Sequence, residues 1–147
     1  MFFFQIISHF IFYFIISLVP IGYGQLINSL LLKNKISSKD LGFIGVLGFF
    51  SLYLLSIIIH TFIPINKIII ILTLLFGLSL FVYFFLNKFF NKKILIIFFI
   101  ILIIAYPLTI ILYPDEDFFF YYLPYLNYLS SSKIILGLVN INDILAF

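Results

Sequence analysis

Four long stretches without a charged side chain dominate this sequence, and lysine-bearing segments separate them. About 20 apolar residues in a helix span the roughly 30 Å of bilayer hydrocarbon, and only helices or closed barrels satisfy their backbone there. The stretches are continuously apolar, without the in-out alternation of a barrel strand. They therefore predict an all-α membrane fold of four transmembrane helices. With 65% hydrophobic and 9% charged residues, too little polar surface exists to cover a water-soluble core.

The first span is expected from Phe2 to about residue 24. Its charge-free run continues to Lys33, too long for the bilayer unless it tilts or breaks, and Pro20, Gly22 and Gly24 are the natural break. Gln25 to Leu32 is then expected at the inner interface. The other spans are expected at about 41–62, 68–86 and 94–112, the second closed by Pro64. Lys33, Lys35 and Lys39 follow the first span and Lys88, Lys92 and Lys93 follow the third, whereas only Lys67 lies between the second and third. The positive-inside rule puts the first and third loops in the cytoplasm, and with them the N-terminus and everything after Leu112 on the extracytoplasmic face.

All eight basic residues are lysines spread over loops, which excludes the dense basic stripe of a nucleic-acid-binding protein. Cysteine is absent, so no disulfide, thiolate metal site or cysteine nucleophile arises. Met1 to Phe4 lacks a basic n-region, which argues against a removable signal peptide.

Three of the five acidic residues, Asp115, Glu116 and Asp117, follow Pro114 directly after the fourth span. Charge is costly in hydrocarbon, so the cluster belongs outside the bilayer core and is a candidate site. Asp115 and Asp117 have the spacing to bind a divalent cation, Mg²⁺ or Mn²⁺, that also grips phosphate oxygens. One carboxylate could instead take a proton from an attacking hydroxyl. The plain alternative is a solvated helix start, with acids favoured in the first turn. Beyond them Tyr121, Tyr125 and Tyr128 recur at helical spacing, which predicts a short amphipathic helix in the outer headgroup region, bent or restarted at Pro124. Its tyrosines would stack on a sugar or form an aromatic belt.

His9 and His60 fall in the outer halves of the first two spans and suit either interfacial packing or a shared proton path or metal site, without a ligand-pair spacing in support. Gly42, Gly45, Gly48 and Ser51 recur every third position, a pattern for close helix packing. A transporter needs polar groups at mid-membrane depth, and the third and fourth spans have almost none.

The run Asp117 to Pro124, followed by Gly137, Leu138, Val139 and Asn140, resembles the pattern D-x-x-x-Y-H-L-P and then G-L-x-N. That pattern belongs to large polytopic bacterial membrane proteins similar to GT-C type glycosyltransferases. Tyr122 stands where the pattern has histidine. Pro114, Asp115 and Glu116 also resemble the P-D-E start of the first outer loop in lipid A and protein O-mannosyl type transferases, so the two alignments favour different carboxylates. The resemblance implies transfer of a sugar from a polyprenyl-phosphate donor, with Asp117, Glu116 or Asp115 as catalytic base or metal ligand and Tyr121 and Tyr125 as substrate contacts. It also implies residence in a bacterial inner membrane and an N-terminal fragment, inactive without the helices that follow in such proteins. A non-enzymatic membrane subunit acting through helix packing is the competing expectation.

Overall fold

The computed structural model describes residues 2–37, 39–111 and 122–134. Among them the chain is all-helical: α1 (Phe2–Leu30), α2 (Leu41–Phe62), α3 (Lys67–Leu86), α4 (Lys92–Ile111) and a shorter α5 (Leu123–Ser131). The first four are long and apolar enough to cross a membrane.

Local chemistry sets several of the helix ends. The Asn66 side chain accepts hydrogen bonds from the Ile68 and Ile69 amides, both at 3.1 Å, and so caps α3. Asn91 accepts from Lys93 N–H at 3.0 Å ahead of α4. At the end of α3, Lys88 takes the left-handed conformation (φ 58°). The Phe89 amide then bonds the Phe84 carbonyl and the Lys88 amide bonds that of Phe85, while the Phe84 and Phe89 rings meet edge to face. This is a Schellman stop completed by its apolar contact.

The expected break in α1 does not occur. The helix continues through Pro20 to Leu30, about 43 Å at 1.5 Å per residue. An interior proline withholds one amide and crowds the carbonyl four residues back, at a cost of about 3 kcal/mol, but the turns beyond Pro20 are held by neighbours. Pro20 packs its backbone against Gly48 of α2, and Gln25 and Asn28 are buried. Asn28 acts as a substitute peptide group. Its Oδ1 accepts from Ile36 N–H at 3.2 Å, and its Nδ2 donates to the Ile36 carbonyl at 3.2 Å and to Gln25 Oε1 at 3.3 Å. These bonds fold the 31–40 connection back over the end of α1.

Packing centres on α1. A Cβ built on Gly24 would overlap the Ile44 carbonyl, one on Gly48 the Pro20 carbonyl, and one on Gly22 the Gly77 carbonyl. Close approach of backbones therefore requires glycine at these positions. Val19 to Gln25 are buried on all sides between α2 and α3. Around the lysine-rich end of this packing, Ile21, Ile44, Phe81, Phe84, Phe90 and Leu95 form an apolar cluster. Helices α2 and α3, although joined by the short 63–66 connection, scarcely touch each other.

α4 lies against the first half of α1, antiparallel to it, and is held by aromatic contacts. Tyr13 Oη donates to the Leu102 carbonyl at 3.2 Å and Tyr106 Oη to the Ile6 carbonyl at 3.0 Å. Since the Tyr106 proton is committed to Ile6, the 3.4 Å contact from His9 Nδ1 makes that nitrogen the donor. Phe10 packs edge-on to Tyr106, with centroids 4.8 Å apart.

Candidate functional site

Helices α1 and α3 start, and α2 and α4 finish, at the end of the molecule that carries α5. The described lysines at this end are Lys67 and Lys133; Lys33, Lys35, Lys39, Lys88, Lys92 and Lys93 are at the other.

The short helix is fastened there by hydrogen bonds. His60, at the end of α2 and 4% exposed, meets the Ser132 carbonyl at 2.8 Å through Nε2. A carbonyl only accepts, so Nε2 carries the proton and donates. The Ile134 amide returns a bond to the His60 carbonyl at 3.0 Å, and the Ile65 amide donates to Leu129 at 2.9 Å. Tyr128 stands edge-on to the His60 ring with centroids 6.2 Å apart, and its hydroxyl donates to the Lys133 carbonyl at 3.0 Å. Leu123 and Pro124 occupy the first turn of α5, where a proline ring costs no helix hydrogen bond.

Of the residues singled out from sequence, Asp115, Glu116, Asp117 and Tyr121 lie outside the described residues, as do Pro114 and Gly137 to Asn140. In sequence the acidic stretch falls between α4 and α5. Tyr125 is on α5 and 38% exposed, whereas Tyr128, three residues on, makes the contact with His60. The histidines are not brought together: His9 meets Tyr106 of α4, and His60 anchors α5. Among the described residues no three His, Asp or Glu side chains gather into a metal-binding group.

The glycine pattern divides. Gly48 is spent on contact with α1 inside this chain, while Gly42 and Gly45 face open space. Sequence periodicity did not reveal His60 as the anchor of α5. The signal was present in a histidine at the end of a span and a tyrosine-rich short helix, but their pairing joins residues 72 apart.

Comparison with protein-family models, with curated proteins and with solved structures finds no match for this chain.

Proposed function

We propose that the chain is one part of an integral-membrane glycosyltransferase-like protein, which transfers a sugar from a polyprenyl-phosphate donor on the extracytoplasmic face of a bacterial inner membrane. The observation that carries this reading is the fastening of α5 by His60 at the lysine-poor end of the helices. The acidic residues precede that helix in the sequence, and the positive-inside rule assigns this end to the outside. The resemblance around Asp117 and Pro124 supplies the reaction class. In it the acceptor hydroxyl attacks the anomeric carbon, the polyprenyl phosphate departs, and Asp117, Glu116 or Asp115 takes the hydroxyl proton. Asp115 and Asp117 are the residues that would hold a divalent cation, which would offset charge on the leaving phosphate. Tyr121 and Tyr125 would stack on the sugar.

Two measurements test this. In a chain without cysteine, Ser131→Cys is expected to react with an impermeant thiol reagent from outside intact cells, and Ser37→Cys only after permeabilisation; the reverse pattern overturns the orientation. Membranes in which the gene is expressed from its own locus are expected to transfer labelled sugar from the donor lipid. Alanine at Asp115, Glu116 and Asp117 together should reduce transfer at least about 100-fold, and undiminished transfer removes the site.

A second reading, a non-enzymatic subunit that packs against other membrane helices, is favoured by the exposure of α4, of which residues 92–110 bury only Leu95 and Leu102. It predicts a native-membrane complex that Gly45→Leu disrupts and Asp117→Asn leaves intact.

A further inference from the structure

The region between α2 and α3 is unusual for two helices joined so tightly. Each packs against α1 through glycine, Gly48 and Gly77, and these contacts draw them onto α1 rather than onto each other. What remains between them is a half-open cleft of about 200 Å³. Its walls are Leu52, Leu55 and Ile59 of α2 and Ile69, Thr73 and Leu74 of α3, with Ile65 at the α5 end. The lining side chains are mostly half-buried. Ser56 and Thr73 are the two hydroxyl-bearing residues of an otherwise hydrocarbon lining, and the Ser56 hydroxyl donates to its own helix, to the Tyr53 carbonyl at 2.8 Å. The cleft presents mainly hydrocarbon along its depth. From Leu52 to Ile59 it extends about 10 Å along α2 at 1.5 Å per residue.

Its α5 end has a different character. Lys67 opens α3, next to the Asn66 cap and close in sequence to Ile65 and Ile69. Lys133 precedes Ile134, whose amide is bonded to the carbonyl of His60, one residue beyond Ile59. Both lysines are exposed. Among the described residues the only carboxylate, Asp40, is at the opposite end of the molecule; Asp115, Glu116 and Asp117, which precede α5 in the sequence, lie outside the described residues. An apolar slot between spanning helices, with two cations at the end where the helices stop, is complementary to an amphiphile with an alkyl chain and an anionic head.

We propose that the cleft between α2 and α3 seats one acyl chain of an anionic phospholipid, with the headgroup phosphate held by Lys67 and Lys133. The chain fills the space that α2 and α3 leave to each other, and the headgroup lies beside the α5 anchor. The assignment rests on the cleft and its charges and is independent of sugar transfer.

The absence of tryptophan from this chain makes a direct test practical. A single reporter, Ile70→Trp, is placed at the rim of the cleft, and a control, Ile103→Trp, on the exposed side of α4. Each protein is reconstituted into phosphatidylcholine vesicles containing brominated phosphatidylglycerol or brominated phosphatidylcholine, and fluorescence quenching is compared. The Ile70→Trp reporter is expected to prefer phosphatidylglycerol by about fivefold or more, as roughly one lysine contact contributes at a membrane surface, and Ile103→Trp is expected to show no preference. Lys67→Gln combined with Lys133→Gln should abolish the preference at Ile70→Trp while leaving its quenching by phosphatidylcholine unchanged. Equal quenching by both lipids at the cleft overturns the proposal, as does a preference that survives loss of both lysines. Displacement of brominated phosphatidylglycerol by a few mole per cent of polyprenyl phosphate, but not by equal unlabelled phosphatidylglycerol, would also overturn it by giving the cleft to the isoprenoid lipid. Far-UV circular dichroism of each variant confirms that the helices are retained.

Discussion

Val19 to Gln25 of α1 are enclosed on every side, whereas residues 92–110 of α4 bury only Leu95 and Leu102 outright and turn most of their surface outward. Both segments are apolar and helical, so hydrophobicity does not distinguish them. The difference is side-chain size at the crossing points. Gly22, Gly24, Gly48 and Gly77 let backbones come together, and in a bilayer that close packing is the main source of helix association. Where α1 meets α4 the facing residues are Phe10, Tyr13, Phe14, Phe99 and Tyr106. Rings of this size hold the helices apart, and hydroxyl-to-carbonyl bonds do part of the work of contact.

This contrast can be broken most severely at the glycine crossings. Gly24→Leu would drive a side chain into the Ile44 carbonyl, with no flexible neighbour to yield. We expect a loss of about 3 kcal/mol or more in detergent unfolding followed by circular dichroism. Gly45→Leu, on the open side of the same α2, should stay within about 0.5 kcal/mol of the parent protein. Similar losses for the two would mean that the crossing is elsewhere.

A smaller effect is expected at the polar end of the enclosed region. Asn28→Leu leaves the Ile36 amide and carbonyl without their partner and should cost about 2 kcal/mol in the same assay. Proteolysis of the 31–40 connection should become faster. Unchanged proteolysis would show that the connection is held by something other than Asn28.

On the α4 side, Tyr106→Phe keeps the ring contacts and removes the bonds to Ile6 and His9. About 0.6 kcal/mol is typical of a hydrogen bond between membrane helices, and a loss of that size is expected. A loss equal to that of Gly24→Leu would erase the distinction between the two modes of packing.

The positions of α2, α3 and α4 were legible in the sequence because hydrocarbon length and lysine placement both mark their ends. The end of α1 was not. Pro20, Gly22 and Gly24 carry local break signals, and what overrides them is tertiary: Gly48 against Pro20, and loop groups that satisfy Asn28. Glycine spacing identified α2 as a packing helix but could not choose Gly48 over Gly45, since that depends on the crossing geometry. At the candidate site, tyrosine spacing anticipated a short helix and Pro124 its restart, and α5 begins at Leu123. His60 was legible only as a histidine near the end of a span, because its partner Ser132 is distant in sequence. The acidic residues, the strongest sequence signal for chemistry, lie outside the described structure, so their roles rest on residue type and resemblance.

Enclosing α1 between α2 and α3 also imposes an order of events during synthesis. Tyr23 donates a hydrogen bond to Thr73, 50 residues later in the chain. At about 5 to 20 residues per second, ribosomes need roughly 3 to 10 s to cover that distance. Through this interval one side of the α1 glycine surface has no partner from its own chain, and α2 and α3 have little to offer each other once inserted. A neighbouring membrane helix able to cover Gly22 would compete with α3 during that window.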